Sequence, residues 1–455
     1  MNYLFETQDL PLTQFATTFA QASVWLDEGL GSQIATFDLV VRDMPKDRNY
    51  LVAGGLKELI EYIKNLKYTD NQIRLLKRGK LITNKFIYYL KNFRFSGDIY
   101  AMPEGTIFFP GEPIIRVTAP LIEAALVEIA LFNITTSNVI FLSKASRIKS
   151  VLKNISVVLG MQRGHSFESG MKGLRSGYIC GLLTTGWPNF VQKYGLEQSR
   201  GYLVSGQHSF IKSFPSEIDA FRKLALAYPN NAAFMIDTYD FEKGLDNAIV
   251  IGKELQAQGN ALRFVTIDSG DLNKLSKMAR KKLDENGLQK VKILAATNMD
   301  EKKIKKLVDF KTPINCFIVA TEYVTVRDAP CLEVVYKMGQ IEDGGTIRYT
   351  AKLTPGKMSY PGKKQVFRTY KNGKILKDVV GLDDEDYGTP LLLPIFKKGK
   401  LVYPIPSLDK IRDYFKEQFS TIPEKLLNVE KDITFNIKIS SGIKRLLEIV
   451  KKQYI

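Results

Sequence analysis

The sequence AAFMID at residues 232–237 is one of five short apolar runs between Gly201 and Thr321; the others are GYLVS (201–205), LRFVTID (262–268), VKILAA (291–296) and INCFIVA (314–320). Amphipathic helical patterns separate the runs, as in Leu272, Leu275, Ala279 and Leu283. Apolar runs of this length between such helices are typical of parallel strands covered by helices. A repeat of roughly 25–30 residues fits βα units that close into a barrel or form an open doubly wound sheet.

Polar side chains follow each run. They are Ser205 and His208 after the first, Asp237 after the second, Asp268 and Asp271 after the third, Thr297 and Asn298 after the fourth, and Thr321 after the fifth. In either architecture the reacting groups lie at the C-terminal ends of the strands. We therefore predict that the side chains of His208, Asp268 and Asn298 open into a common cleft.

Composition narrows the class of protein. The 455 residues suggest two or three domains, and the 45% of apolar residues are enough for large cores. The three cysteines form neither a disulfide framework nor a metal-ligand cluster, so we expect a reducing, cytoplasmic setting. No run approaches the roughly 18 uninterrupted apolar residues of a membrane helix, and the first residues lack the order of a signal peptide.

The formal net charge is +17. A lysine-rich solvated surface and an attraction for polyanions both explain such a charge. No known nucleic-acid motif and no stripe of interleaved basic and aromatic residues accompanies it. We therefore expect small anionic metabolites as partners, and neither nucleic acid nor a membrane.

Three regions differ in pattern. Residues 1–150 mix strands, Pro-Gly turns and helices and predict an α+β sandwich-like domain, residues 151–340 predict the α/β barrel that carries the site, and residues 341–455 predict a strand-and-helix region packing on the first two. The glycine-rich stretch 160–182 contains Arg163 and Arg175. Glycine-rich backbone with arginine suits anion binding, but a helix with small packing residues has the same composition.

Eight stretches together resemble the nicotinate phosphoribosyltransferase family, in the family's order and over nearly the whole chain. They are TFDLVVRDMPKDRNYLVAGGL (36–56), SGQHSFIKSFPSEIDAFRKLA (205–225), MIDTYD (235–240), VTIDSGDL (265–272), KILAATNMDEKKI (292–304), FIVATEYVT (317–325), VYKM (335–338) and SYPGKKQVFR (359–368). The resemblance implies an irregular α/β barrel of the type II phosphoribosyltransferase class, with an N-terminal sandwich-like domain that covers the barrel of a dimer partner.

The family's reaction joins nicotinate to phosphoribosyl pyrophosphate and gives nicotinate mononucleotide, a step of NAD synthesis. ATP hydrolysis drives it through a phosphorylated histidine. The chemistry requires phosphate-binding loops, a magnesium-binding acid and a charge-matched pocket for the base, because charge develops on the ribose and pyrophosphate.

Two residues take the catalytic roles in this resemblance. His208 matches the phosphorylated histidine, and imidazole suits that role because it is neutral and nucleophilic near pH 7. Asp268 and Asp271 match an acidic strand end that binds Mg²⁺ on ribose or pyrophosphate. Capping of the next helix by Asp268 or Ser269 is the competing interpretation.

The remaining matches concern substrate binding. Ser205 keeps the hydroxyl of a base-contacting threonine, and Asp237 and Asp240 match an acidic pair. Arg163 matches a phosphate-facing arginine, and Thr321 matches the threonine that closes the 5′-phosphate loop.

The base pocket departs from the family's pattern. Ala16 replaces a tyrosine that stacks on nicotinate, so Phe15 or Phe19 would stack only after a local rearrangement. Thr266 replaces an arginine that faces the nicotinate carboxylate, which removes a charge-assisted bond worth roughly 1.5–3 kcal/mol. Gln162 replaces one of two paired arginines.

The phosphate loops depart as well. Thr297, Ile318 and Ala320 stand where the family has glycine. Glycine lets backbone N–H groups approach a phosphate and takes positive φ, whereas a β-branched side chain narrows the approach. We therefore predict a retained fold with weakened activity.

Three functions follow from these observations. An active phosphoribosyltransferase is favoured by His208, Ser205, Asp268, Asp271 and Thr321. A non-catalytic homologue that binds or scaffolds is favoured by the departures. A transferase for an uncharged base such as nicotinamide is favoured by the loss of arginine at position 266.

Overall fold

The computed structural model describes residues 7–184, 186–196 and 203–455. Nineteen strands lie in these ranges: β1 Ile34–Val41, β2 Leu51–Val52, β3 Asp98–Ala101, β4 Ile107–Phe108, β5 Pro113–Pro120, β6 Ser156–Leu159, β7 Val204–Gly206, β8 Ala232–Met235, β9 Phe264–Ile267, β10 Lys292–Ala295, β11 Cys316–Val319, β12 Val334–Asp343, β13 Thr346–Tyr349, β14 Lys364–Lys371, β15 Lys374–Leu382, β16 Thr389–Pro390, β17 Leu393–Lys397, β18 Lys400–Leu401 and β19 Lys438–Ile439.

Sixteen α-helices lie in the same ranges: α1 Ala16–Asp27, α2 Leu56–Asn65, α3 Asp70–Arg78, α4 Asn84–Lys91, α5 Leu121–Ala125, α6 Glu128–Ser150, α7 Phe167–Ile179, α8 Pro188–Tyr194, α9 His208–Lys212, α10 Glu217–Ala227, α11 Phe241–Ala257, α12 Leu272–Glu285, α13 Glu301–Asp309, α14 Thr321–Val324, α15 Leu408–Ser420 and α16 Ser441–Tyr454.

The five apolar runs form neighbouring strands of one curled, parallel six-stranded sheet, in the order β6-β11-β10-β9-β8-β7. The prediction of parallel neighbours is confirmed for the described part of each run; Gly201 and Tyr202 of the first run lie outside the described residues. The sequence analysis missed β6, which pairs with β11 and so adds a sixth strand to the arc. A bridge between Val158 and Leu183 extends the arc further.

Burial explains why these strands read as continuous apolar runs. Val265, Thr266 and Ile267 are each almost fully buried, so β9 has no solvent-facing side. Helices α10, α11, α12 and α13 are fixed at their start by side chains that accept backbone N–H groups. These capping residues are Ser216, Asp240, Asp271 and Asp300.

Gly244 marks the closest approach of a helix to this sheet. A Cβ at Gly244 of α11 would lie 2.1 Å from the carbonyl oxygen of Ile236, just beyond β8. We expect Gly244→Ala to lower the free energy of unfolding by about 1–3 kcal/mol, because backbone has to move. Gly252→Ala in the same helix is the matched control, since its Cβ would meet a movable leucine methyl at 3.0 Å. Urea unfolding compares the two; equal losses would contradict the argument.

The chain divides into two compact units. One comprises Lys144–Pro330 and Asn428–Lys431 and contains the parallel sheet; the other comprises Met1–Ser143, Cys331–Leu427 and Asp432–Ile455. The boundaries expected from sequence were 150/151 and 340/341. Residues 341–427 and 432–455 belong to the same unit as the N-terminal residues, because β17 pairs with β3 in one sheet.

The second unit is built on antiparallel pairing. Its largest sheet has seven strands in the order β13-β12-β1-β5-β3-β17-β18, and a four-stranded sheet has the order β16-β14-β15-β19. Helices α2, α3 and α4 bury Leu59, Ile73 and Phe86 in the same core as Leu39 of β1 and Val117 of β5. This agrees with the predicted α+β character of the N-terminal region.

One helical stretch, Leu121–Ser150, is long and apolar enough by length and composition to cross a membrane, among the residues described. More than half of its most apolar window is buried inside the protein, as in a core helix. Near its end Lys144 Nζ and Arg147 Nε each lie 2.6 Å from a carboxylate oxygen of buried Glu301.

Candidate active site

The imidazole of His208 lies between polar groups from two neighbouring strand ends. His208 is the first residue of α9, directly after β7. Its Nδ1 is 3.1 Å from the hydroxyl of Thr238, and its Nε2 is 3.8 Å from Oδ2 of Asp268. The side chains of His208 and Asp268 are 39% and 40% exposed, so an incoming ligand can reach both. The structure thus brings the two predicted catalytic residues together.

Asp237 holds the turn that carries Asp268. Its Oδ2 accepts the backbone N–H of Asp268 at 2.8 Å and the hydroxyl of Ser269 at 2.7 Å. Its Oδ1 is buried without a hydrogen-bond partner in the described structure. A buried acceptor of this kind is costly unless a ligand completes it.

Thr297 shows a physical consequence of a lost glycine. Its backbone N–H donates to Oδ1 of Asp268 at 3.0 Å, and its φ is +70°. A β-branched residue in this left-handed region is strained, by roughly 1–3 kcal/mol. Ile318 and Ala320 have no positive φ, so of the three departures only Thr297 occupies backbone that favours glycine.

The loop before α7 meets the end of β11. Arg163 Nη1 donates to the hydroxyl of Thr321 at 2.9 Å, which brings together two residues predicted to bind phosphate. Gly160 N–H donates to the carbonyl of Val319, and a Cβ at Gly160 would lie 2.9 Å from the Cβ of Ala320. Ala320 therefore fills space beside a glycine that is itself tightly packed.

Two of the predicted acidic ligands are helix caps. Asp271 Oδ1 accepts the N–H groups of Asn273 and Lys274 at the start of α12, and Asp240 Oδ1 accepts that of Lys243 at the start of α11. The capping role that we weighed for Asp268 or Ser269 thus belongs to Asp271. Asn298 is exposed at the same sheet edge, but within the described structure no contact joins its side chain to His208 or Asp268.

The residues predicted for the base pocket differ in exposure. Thr266 is 1% exposed, and its hydroxyl oxygen has no hydrogen-bond partner among the described atoms. Ser205 is half-buried in β7, and Arg175 is buried in α7. Phe15 is 69% exposed, whereas Phe19 is buried with its ring edge against Tyr68. Phe19 would have to leave this core to stack on a base, whereas Phe15 is already accessible.

The sequence analysis missed Thr238. It follows Asp237 in the run MIDTYD, and the signal was a second polar residue at a strand end. Its hydroxyl lies within hydrogen-bond distance of the imidazole Nδ1, at 3.1 Å, whereas the nearest oxygen of Asp268 is 3.8 Å from Nε2.

Two family models match the chain. They are the N-terminal domain of nicotinate phosphoribosyltransferase, over residues 16–136, and the C-terminal domain of the same family, over residues 387–447. The first stretch, and all of the second except Asn428–Lys431, belong to the unit that contains the antiparallel sheets.

Two solved structures share the fold. The human nicotinic acid phosphoribosyltransferase aligns with a TM-score of 0.77 over 96% of this chain and 100% of its own, at 20% identity. A nicotinate-nucleotide pyrophosphorylase from Pyrococcus furiosus aligns with a TM-score of 0.71 over 94% and 99%, also at 20% identity. Together with the curled parallel sheet, these likenesses show the α/β fold of type II phosphoribosyltransferases.

Similar proteins extend the match across the barrel. A nicotinate phosphoribosyltransferase of Mycobacterium tuberculosis is 35% identical over 91% of this chain and 88% of its own length. Another, from Bacillus subtilis, is 32% identical over 97% and 95%. Identity at this level over nearly the full length shows that the chain belongs to the nicotinate phosphoribosyltransferase family of transferases.

Proposed function

We propose that this chain joins nicotinate to phosphoribosyl pyrophosphate, with hydrolysis of ATP, to give nicotinate mononucleotide, and that its changed base pocket weakens this activity. The observation that carries the proposal is the placement of His208 between Thr238 and Asp268 at the ends of three parallel strands. It is supported by family membership over nearly the whole length.

His208 is the residue that receives phosphate from ATP in this proposal. A neutral imidazole is a good nucleophile near pH 7, and the partner of one ring nitrogen fixes the tautomer and the orientation of the other. Thr238 and Asp268 supply these partners. Asp237 is a positioning residue, because it orients the turn of Asp268 through two hydrogen bonds.

Magnesium fits this site as a companion of the substrate. No group of three or more His, Cys, Asp or Glu side chains in the described ranges could hold a metal ion by itself. Mg²⁺ is commonly held by one or two carboxylates together with substrate phosphates. Asp268 would hold it, because one of its oxygens binds Thr297 N–H and the other faces the cleft. The ion would neutralise charge on the pyrophosphate as it leaves.

Arg163 and Thr321 would bind the 5′-phosphate. A guanidinium matches the geometry of a phosphate better than an ammonium does, and a hydroxyl adds a further donor. Arg163 is exposed and already oriented by its bond to Thr321. In this proposal Asn298, after β10, and Ala320, after β11, lie at the same edge of the sheet and contact the substrate.

The first functional prediction is weak turnover of nicotinate. An aromatic contact is worth roughly 0.5–1.5 kcal/mol beyond burial, and a carboxylate–arginine bond roughly 1.5–3 kcal/mol. Loss of both contacts would lower kcat/KM by roughly 30- to 2000-fold compared with a family member that has them. Radiolabelled nicotinate with phosphoribosyl pyrophosphate, Mg²⁺ and ATP measures the rate.

Restoring the two side chains tests the cause. Ala16→Tyr with Thr266→Arg should raise nicotinate affinity, whereas Thr266→Val should change it little, because the Thr266 hydroxyl has no partner in the described structure. Thermal melting of each variant reports whether buried position 266 tolerates the change. Rates of roughly 1–10 per second in the unmodified protein would contradict this account of the departures.

Two other functions stay open to the same experiments. The threonine at position 266, where the family has an arginine, favours a neutral base, so nicotinamide is assayed in parallel. The strained backbone of Thr297 favours a homologue that binds without catalysis. Calorimetry with phosphoribosyl pyrophosphate and Mg²⁺ tests whether the phosphate site is kept, because a protein that lacks it gives no heat of binding. Product formation with either base then separates a transferase from a homologue that only binds.

We also propose a cytoplasmic homodimer in which the N-terminal layer of one subunit meets the barrel of the other. The resemblance to the family's shared site supports it, as does Phe15, a large aromatic side chain that is 69% exposed beside Ala16. Light scattering at micromolar concentration should give a mass near twice the 51.5 kDa of the chain. A strictly monomeric mass would contradict this assembly.

A further inference from the structure

A cavity of about 240 Å³ lies in the unit that contains the antiparallel sheets. Helix α2 contributes Leu56 and Ile60 to its wall, and the segment 393–414 contributes Leu393, Ile405 and two tyrosines. None of its lining residues belongs to the unit that holds His208. The cavity is therefore separate from the residues of the proposed active site.

The lining suits a small aromatic body. Most of its side chains are apolar, and the rings of Tyr403 and Tyr414 add two aromatic surfaces. An apolar cavity of roughly 150 Å³ is enough to hold benzene. The volume here exceeds that, so it accommodates one aromatic ring with a few further atoms.

The polar groups of the cavity differ in how well they are already bonded. Glu104 accepts the N–H of Gly55 at 2.7 Å, and the Tyr414 hydroxyl is 3.1 Å from that of Thr106. Burial, followed by the charges of neighbouring groups, raises the pKa of Tyr403, so its hydroxyl stays protonated at neutral pH.

Two lysines that line the cavity are unpaired. Lys57 comes from α2 and Lys410 from α15, and both are exposed. Neither ammonium group has a hydrogen-bond or ion-pair partner within the part of the chain that the structure describes. Two unpaired cations beside an apolar wall complement a molecule with one apolar end and one anionic end.

We propose that this cavity binds a small aromatic carboxylate, with its ring against Tyr403 and Tyr414 and its carboxylate at Lys57 and Lys410. The site uses no barrel residue, so the proposal does not depend on the proposed function. Its two requirements, an apolar ring and a negative charge, can be tested separately.

Fluorine NMR with 4-(trifluoromethyl)benzoate tests the proposal on the full-length protein. We expect saturable line broadening with a dissociation constant on the order of 1 mM or tighter. Ile405→Trp fills the cavity from a position that is 41% exposed and should abolish the broadening. Val402→Trp is the matched control, since Val402 is 49% exposed but does not line the cavity.

The charge requirement has its own test. Lys57→Gln with Lys410→Gln should weaken binding of the benzoate by about 3- to 10-fold, as for interactions of exposed charges. The same change should leave 4-(trifluoromethyl)benzamide unaffected, because the amide carries no charge.

Three results would overturn the proposal. They are no saturable binding, binding that survives Ile405→Trp in a protein whose melting temperature is unchanged, and equal binding of the acid and the amide with no effect of the lysine changes. In the second case, loss of binding in His208→Ala would show that the probe occupies the barrel.

Discussion

Replacing His208 with alanine is expected to abolish ATP-dependent phosphorylation of the protein and to lower ATP-coupled formation of mononucleotide by at least about 100-fold. The imidazole lies between Thr238 and Asp268 at the sheet edge, where an incoming ligand can reach it. Incubation with γ-labelled ATP, followed by detection of acid-labile phosphate on the protein, measures the loss directly.

The chain contains two histidines, so the second one, His165, provides a matched control. His165 is exposed in the loop before α7, so His165→Ala removes an imidazole without touching the contacts of His208. Thr238→Val should give an intermediate loss, since it removes only the partner of Nδ1. Phosphate label that persists in His208→Ala but disappears in His165→Ala would show that His165 is the phosphorylated residue and would contradict our proposal.

The parallel half of the fold was predictable because its signal is local. Strands β8 to β11 each bury three of their four residues, and helices α11, α12 and α13 each begin at a capping aspartate. Strand β6 was missed because Ser156–Leu159 is short and lies close behind the 23-residue helix α6. The grouping of most of residues 341–455 with the N-terminal region depends on pairing such as that of β3 with β17, about 300 residues apart in the chain, which no local pattern reveals.

The sequence predicted at which strand ends the site residues lie, but not which of them cap helices and which are free to bind a ligand. Sequence placed His208, Asp268 and Asp237 at one edge, since the ends of parallel strands share an edge. It could not separate a cap from a ligand, because Asp268 and Asp271 stand three residues apart and have the same chemistry. The positive φ of Thr297 was also hidden, since it depends on backbone that three-dimensional packing imposes.

The second large effect concerns the stability of the other unit. Arg368 and Asp378 are fully buried and form two bonds, from Nε to Oδ1 at 2.9 Å and from Nη2 to Oδ2 at 2.6 Å. Asp378→Ala leaves a buried guanidinium without its counter-ion, so we expect a loss of about 3–5 kcal/mol in the free energy of unfolding. Urea unfolding at pH 7 measures it. A loss below about 1 kcal/mol would contradict this expectation and would mean that another group, such as the neighbouring Glu112, neutralises the guanidinium.

Glu112, next to this ion pair, makes the free energy of unfolding depend on pH. Burial, and then the negative charge of Asp378, raise the pKa of Glu112 well above its usual value of 4.5. Above pH 4.5 the unfolded chain releases this proton while the folded chain keeps it, so stability falls as pH rises towards the folded pKa. Glu112→Gln should remove that slope and should be at least as stable as the unmodified protein at pH 8.

The double variant Asp378→Ala with Glu112→Gln should lose more free energy of unfolding than the two single variants added together, because only an ionisable Glu112 can take over as counter-ion to Arg368. Additive losses in this double-mutant cycle would show that Glu112 and Arg368 do not interact.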